Sequence, residues 1–576
     1  MPVSTTWRVF CFLWNSVNKA RKDRWTQEGQ RDIAIRRLGS GFDIPKALGD
    51  GGDCLSGLAN PQQPRADLAG LHWFCTALGT GVPCRSRVPS SFVLVYHRSP
   101  FDEVINADGS RQWQDQKSPN GIIPTLRNLF RSHPSGTWIA WRQNEDPAAE
   151  DETLTIEEPI AIRLRRIPLR QEQIGSFYHV TSKESIWPIL HSFPSFFEVN
   201  NADWQTFKDV NQRFAEAACN EAAPGASIWI HDYNLWLAPG FIRALRPDVK
   251  ISFFHHTPFP SSDVFSILPW REEIVESLLC CDAVGFHIPR YAENFARAAS
   301  SLLPVKKGPK AEIADHFLPC GSALAQPDAT PWLEHNGHRV KLVATPVGTS
   351  PDVIRGLRDT PSVQELIQEI ETNTKRGRTL ILSASRVDYT KGNEELLRTF
   401  ERLLERNEAI HGQVVLVLAC VAANTGMKVY EDTQRGIEET VGRINGRFSK
   451  IDWVPIRLTT QRIPYEEMVA WFAASDICWI TPLRDGLNLV AKEYAAARKG
   501  RGGTLVLSEF TGASVVMKGA VLTNPYSHRR MDEAIDKALS LSQAEQEQRM
   551  ASMAASVDQL SVDHWAKEQL GAIESP

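Results

Sequence analysis

Four short segments of this chain combine charged residues, hydroxyls and glycine in ways that suit the handling of a sugar and a phosphate. The fullest is Thr481-Pro482-Leu483-Arg484-Asp485-Gly486-Leu487-Asn488-Leu489-Val490-Ala491-Lys492-Glu493. An apolar stretch feeds a glycine-containing turn and then a helix. The successive N–H groups of Gly486, Leu487, Asn488 and Leu489 can receive a sugar or its phosphate. Asp485 can bond sugar hydroxyls, and Glu493, further along the helix, can accept from a ribose diol. A surface helix with a capped start is the plainer account of any one of these residues. In Arg386-Val387-Asp388-Tyr389-Thr390-Lys391-Gly392, a guanidinium and an ammonium flank a turn, so that Arg386 and Lys391 can grip one diphosphate. His231-Asp232-Tyr233-Asn234 offers an aspartate to orient a sugar hydroxyl or a water, or simply to cap a helix. Phe253-Phe254-His255-His256-Thr257-Pro258-Phe259-Pro260 sets two histidines before a proline-stiffened loop that can aim one of them at a cleft. Adjacent histidines point in different directions and no further ligand has suitable spacing, so a metal site is not expected there. No Asp-x-Asp pair occurs in the sequence. The charge on a leaving diphosphate would fall to Arg386, Lys391 and helix N-termini.

These segments need elements to position them, and each follows an apolar run of strand length. Phe92–Tyr96, Ser227–Ile230, Ile251–Phe254, Ala283–Phe286 and Val340–Ala344 are expected strands. Between several of them lie helical periodicities, at Val264–Leu279 and Tyr291–Leu303. The alternation resumes with strands expected at Leu380–Ser383, Val414–Leu418, Ile477–Ile480 and Thr504–Leu507, and helices at Leu396–Glu405 and Tyr465–Ala474. This order predicts an α/β protein of two doubly wound parallel-sheet domains, 90–347 and 348–576, with a hinge near Thr345 to Pro351. Parallel sheets carry their functional groups beyond the carboxyl ends of their strands, where the four segments fall. A last helix around Val557 to Leu570 can pack back on the first domain. Residues 1–89 are glycine-rich and weakly periodic, and are read as an extension without a catalytic role.

Bulk properties exclude several classes. The length of 576 residues favours two domains. A net charge of −4 gives no general attraction to nucleic acid or to acidic membranes. The ten cysteines form no CxxC pair, and Cys280 and Cys281 sit within an apolar run expected to be helical; reduced thiols in the cytoplasm are the reading. No apolar stretch is long enough to span a bilayer, and Asn15 interrupts the short apolar run at Val9–Trp14, against a secretory signal.

In order and spacing, the four segments resemble trehalose-phosphate synthases and, more closely, glucosylglycerol-phosphate synthases, over about Phe92 to Tyr526. The closer likeness lies in Tyr96-His97-Arg98-Ser99-Pro100-Phe101-Asp102-Glu103-Val104, Lys117 to Thr125, His255-His256-Thr257, Leu268-Pro269-Trp270-Arg271 and Gly285-Phe286-His287-Ile288-Pro289-Arg290. The resemblance implies the GT-B arrangement, two facing Rossmann-like domains, and glucose transfer with retention from a nucleotide-sugar without a metal or other cofactor. It implies a diphosphate grip by Arg386 and Lys391, glucose contacts from Asp485 and the N–H groups after it, and a ribose contact from Glu493. His256 is implied near the transferred glucose, and Asp232 on the acceptor or glucose side. Tyr178 and Trp187 match aromatics of the acceptor pocket, and Arg98 matches a phosphate-contacting arginine. Retention without an evident nucleophile implies front-face transfer, with the leaving phosphate taking the acceptor's proton.

Two departures from trehalose-phosphate synthases bear on the acceptor. Their paired glycines after the first strand are replaced by Ser118-Pro119-Asn120-Gly121-Ile122-Ile123-Pro124. An arginine that helps hold glucose 6-phosphate is replaced within Ala422-Ala423-Asn424-Thr425-Gly426. Losing that arginine weakens the case for glucose 6-phosphate, and the closer resemblance implies ADP-glucose as donor and glycerol 3-phosphate as acceptor, giving the precursor of an osmoprotectant. Glucose 6-phosphate is the rival acceptor, and a catalytically silent nucleotide-sugar-binding regulator is the rival of another class. A fused phosphatase is not expected, for want of an Asp-x-Asp motif. Nucleic-acid and membrane partners are not expected, and a homo-oligomer is left open.

Overall fold

The computed structural model describes residues 89–574, apart from 107, 109, 115–120, 132, 134, 159 and 423–426. The extension read at 1–89, Pro89 aside, lies outside these residues. So do Ser118-Pro119-Asn120 and Ala423 to Gly426.

Two sheets organise the described chain. The larger has ten strands, in the spatial order Lys306–Lys307, Trp332–His335, His338–Ala344, Ala283–Phe286, Lys250–His255, Ala222–His231, Ser90–Val95, Thr137–Gln143, Ile162–Leu169 and Glu152–Ile156. From His338–Ala344 to Ile162–Leu169 the strands run parallel; those outside them at either edge are antiparallel. The smaller sheet has six parallel strands, in the order Ile456–Thr459, Val414–Val421, Thr379–Arg386, Ile477–Ile480, Thr504–Ser508 and Val521–Thr523. Both parallel arrays are doubly wound. In each, the chain works outward from a first strand in one direction and then restarts beside it in the other. The reversals fall between Ser90–Val95 and Ala222–His231, and between Thr379–Arg386 and Ile477–Ile480. Such reversals open a crevice at the strands' carboxyl ends, where ligands of open α/β sheets bind.

Helices cover both faces of the smaller sheet, which is why its inner strands, such as Ile477–Ile480 and Val414–Val421, are largely apolar. Along Thr379–Arg386, Leu380 and Leu382 enter one core, and Ile381 enters another with Phe400, Trp479 and Val506. The helix Val562–Glu574 crosses to the larger sheet. Its Trp565 ring lies 4.8 Å from Trp229 and 5.0 Å from Phe254, and a Cβ on Gly285 would overlap Gln569.

Several elements depart from their sequence expectation. The helix expected over Val264–Leu279 is two, Ser262–Phe265 and Arg271–Leu278, because Pro269 cannot donate to a continuous ladder. Cys280 and Cys281 lie in the turn beyond the second, not inside a helix. The helix expected over Val557–Leu570 is broken between Gln559 and Val562. Among the described residues the cysteines are free thiols, and no helix is long and apolar enough to cross a membrane.

Candidate active site

The reversal in the smaller sheet is closed by two loops that bond to each other. Asp388 accepts from Thr390 N (3.0 Å) and Thr390 Oγ1 (2.8 Å), fixing the turn that carries Lys391. Gly392, at φ 64°, lets this turn pass against the neighbouring strand end; a Cβ there would overlap the Thr481 carbonyl. Leu483 N donates to Thr390 O (2.8 Å), and Thr481 Oγ1 to Gly392 O (3.1 Å). Lys391 Nζ thereby reaches Asp485 Oδ2 at 2.8 Å, and Asn488 Nδ2 donates to the same oxygen at 3.2 Å. Burial alone would raise the Asp485 carboxyl, but Lys391, helped by His191 and the Asn488 bond, holds the group below the usual carboxylate range. Oδ1 is left to accept from an incoming hydroxyl.

Asn488 also caps the helix Leu489–Ala497, its side chain accepting from Ala491 N at 3.0 Å, so the plainer account of this residue holds as well. Its backbone stands at φ 82°. Among the described residues, no protein acceptor meets the N–H groups of Gly486, Leu487, Asn488 or Leu489. They form a concave set of donors at a helix start, of the kind that receives anions and sugar oxygens. Gly486 is required by contact with the other sheet's loops, since a Cβ there would overlap the His256 carbonyl. Arg386 leaves the strand end half-exposed, with its Nη2 3.9 Å from Asp388 Oδ2. Glu493 is buried beneath the helix start with Tyr465 Oη at 3.4 Å, and burial pushes its carboxyl up to about 8.

At the reversal in the larger sheet stands Asp232, with φ 74° and ψ 158°. That region is nearly restricted to glycine and costs about 1–3 kcal/mol in other residues. The conformation is held by Asp232 N donating to Phe254 O (2.9 Å) and by the carboxylate accepting from Tyr233 N (3.0 Å). The residue is thus both a helix cap and a strained strand exit. Burial raises its carboxyl to about 6, against the lowering pull of the backbone N–H groups of Tyr233 and His256 and of Lys183 and Arg98. His256 Nε2 lies 3.0 Å from His231 Nδ1. Burial, then the neighbouring histidines, keeps His256 neutral. His231 Nε2 is buried without a partner. We assign the proton to His231 Nδ1, which strands a lone pair there and not a donor, and leaves His256 with its Nδ1–H to give. Trp565 closes the far side, 6.1 Å and 6.2 Å from the two imidazole rings.

The third group gathers beside Asp232. Arg98 Nη2 donates to Tyr178 Oη at 2.6 Å. Tyr178 lies on the π-helix Gly175–Ile186, and Trp187 follows directly. The Trp187 ring is 6.1 Å from Tyr233, next to Asp232. Lys183, from the same π-helix, sets its Nζ 3.6 Å from the Trp187 ring centroid and 5.8 Å from that of Tyr178. Arg386 is close enough to act electrostatically on both Tyr178 and Lys183, which joins this group to the loop that carries Arg386 and Lys391.

Sequence reasoning assigned no role to Lys183. A cation five residues after one aromatic and four before another was the available signal, but it becomes a cluster only on a helix wound this way. The two sheets' loops also meet through Tyr291 Oη, which donates to Asp485 O (3.0 Å), and through Lys492 Nζ, which donates to Val347 O (2.6 Å). Among the described residues no three His, Cys, Asp or Glu side chains are grouped to hold a metal ion.

Two doubly wound sheets with their crevices turned to one another, a cation pair beside a loop of open backbone N–H groups, and a second cation cluster opposite make up the arrangement of a GT-B glycosyltransferase. Residues 90–575 match the model of glycosyltransferase family 20. A glucosylglycerol-phosphate synthase of Synechocystis sp. is 50% identical over 484 residues, covering 84% of this chain and 97% of that one. A trehalose-6-phosphate synthase of Mycolicibacterium gilvum is 36% identical over 491 residues, covering 84% and 94%. Among solved structures, an α,α-trehalose-phosphate synthase (UDP-forming) from Burkholderia xenovorans in complex with glucose-6-phosphate superposes with a TM-score of 0.73 at 27% identity, over 84% of this chain and 100% of that one. The chain belongs to glycosyltransferase family 20, the retaining, trehalose-phosphate synthase-like enzymes that use a nucleotide-sugar.

Proposed function

We propose that this enzyme transfers glucose with retention from ADP-glucose to sn-glycerol 3-phosphate, giving 2-O-(α-D-glucosyl)glycerol 3-phosphate and ADP in the cytoplasm. The observation that carries a phosphorylated acceptor is the cation–aromatic cluster of Arg98, Lys183, Tyr178 and Trp187 beside Asp232. The higher identity to relatives named glucosylglycerol-phosphate synthase than to those named trehalose-6-phosphate synthase supports the three-carbon acceptor.

In this reading Arg386 and Lys391 neutralise the leaving diphosphate, a role that is strongest in a water-poor cleft. Asp485 and the N–H groups from Gly486 to Leu489 hold the glucose hydroxyls, Glu493 holds the ribose, and neutral His256 donates to a glucose oxygen. Asp232 orients the acceptor hydroxyl. The bond from the anomeric carbon to the β-phosphate oxygen breaks, and the bond to the acceptor oxygen forms on the same face. The acceptor's proton passes to the departing phosphate, so that atoms and charge balance without an enzyme nucleophile. NMR of the product tests this. An α anomeric coupling and attachment at glycerol C2 are expected; a β anomer or a different linkage would contradict it.

A further inference from the structure

Lys183 stands apart from the residues discussed so far because neither a motif nor the family resemblance singled it out. It projects from the π-helix Gly175–Ile186 across the face of Trp187, at 3.6 Å from the ring centroid. Arg98 approaches the same group from the first strand's end, with its guanidinium 5.7 Å from the Tyr178 ring. Among the described residues neither cation has a carboxylate ion-pair partner. Lys183 is half-buried and Arg98 exposed, with Asp232 and Asp388 near enough to act on Lys183 but not paired with it, so both cations are open to an anionic ligand.

The electrostatics of the cluster and the bonding of a neighbouring histidine agree with this. Burial should push the Tyr178 phenol up, yet Lys183, Arg98 and Arg386 together bring it down to about 8, which registers a strongly positive field. Burial and the nearby guanidiniums depress the Lys183 ammonium in turn. His97, buried, has neither ring nitrogen bonded to protein, and its ring lies 5.6 Å from that of Tyr178.

We propose that Lys183 is, with Arg98, a ligand of the acceptor's phosphate, and that by covering the Trp187 face it limits the acceptor to a short carbon chain. The proposal rests on the acceptor reading given above and extends it to a residue that determines specificity. The ammonium occupies the surface on which the apolar face of a hexose would lie. A phosphate bridging Arg98 and Lys183 would leave a three-carbon chain running past Trp187 and Tyr233 toward Asp232.

The test uses the full chain with ADP-glucose saturating, inorganic phosphate as competing probe, and the variants Lys183→Gln, Lys183→Arg and Lys183→Ala. Loss of one charge-assisted phosphate contact in Lys183→Gln should raise the acceptor KM and the inhibition constant of phosphate together, by about tenfold or more, with kcat changed much less. Lys183→Arg should recover most of the loss, which a purely structural role would not require. Lys183→Ala should raise turnover with glucose 6-phosphate relative to glycerol 3-phosphate. Donor affinity by calorimetry reports that each variant is folded. An unchanged phosphate constant in Lys183→Gln, or an unchanged acceptor ratio in Lys183→Ala, would overturn the proposal. Should the wild type prefer glucose 6-phosphate, the substrate reading fails, and the phosphate constant still decides the role of Lys183.

Discussion

The two sides of the cleft, proposed above as its donor side and its acceptor side, are built in different ways. On the donor side, two loops from adjacent parallel strands supply Arg386, Lys391, Asp485, Asn488 and Glu493, and hydrogen bonds between the loops set their positions. On the acceptor side, Arg98, Tyr178, Lys183, Trp187 and Asp232 come from three separate stretches, and one of these is an irregular π-helix. The donor chemistry, a nucleoside diphosphate and a hexose, calls for one fixed frame. The acceptor side can be altered a residue at a time without disturbing that frame, which is how one fold can serve different phosphorylated acceptors.

Changes to the donor frame should cost most. Lys391→Ala removes a cation from the diphosphate and leaves the Asp485 carboxylate, only 16% exposed, without its partner. A fall in kcat of roughly 10²–10³-fold is expected, by analogy with loss of one preorganised donor, together with a lower Tm. Arg386→Ala removes a more exposed contact worth about 1.5–3 kcal/mol. Its effect should appear as a weaker donor KM, and wild-type activity with wild-type donor affinity would remove Arg386 from the diphosphate grip.

On the other side the contrast sharpens through pH. With the Asp232 carboxyl raised to about 6, activity should fall as pH drops through that value, because the carboxylate that accepts the acceptor's hydroxyl becomes protonated. The same shift has the opposite sign for stability. The folded state binds this proton more tightly than the unfolded one, so the contribution is full below the ordinary carboxylate range and is lost as pH rises through about 6. A pH profile of kcat/KM for the acceptor without this limb would contradict the role of Asp232. The smallest effect is expected from chelation: EDTA should leave turnover nearly unchanged. Complete loss restored by one divalent ion would mean that Arg386 and Lys391 do not carry the diphosphate charge alone.

The same contrast governs what the sequence disclosed. Strands buried on both faces, such as Ile477–Ile480 and Ala283–Phe286, read directly as apolar runs, and the segment Thr481–Glu493 followed from the end of the first. The strand Ile162–Leu169 did not, because it carries Arg163, Arg165, Arg166 and Pro168. Those arginines are neutralised by distant carboxylates: Arg163 by Glu221 at 2.8 Å, Arg165 by Asp151 at 2.9 Å, and Arg166 by Glu103 and Glu152 at 2.6 and 2.7 Å. Local pattern cannot show such pairs. The positions of Arg98, Tyr178 and Trp187 were legible only through family resemblance, since their grouping depends on π-helical winding and a sheet crossover. Lys183 was not legible at all, for the same reason.

The central claim is the identity of the acceptor, and the most direct measurement follows nucleoside diphosphate release from ADP-glucose with sn-glycerol 3-phosphate and glucose 6-phosphate offered in parallel. Release with glycerol 3-phosphate and little or none with glucose 6-phosphate is the predicted result. Release with glucose 6-phosphate alone would contradict the account and place the enzyme in trehalose-phosphate synthesis.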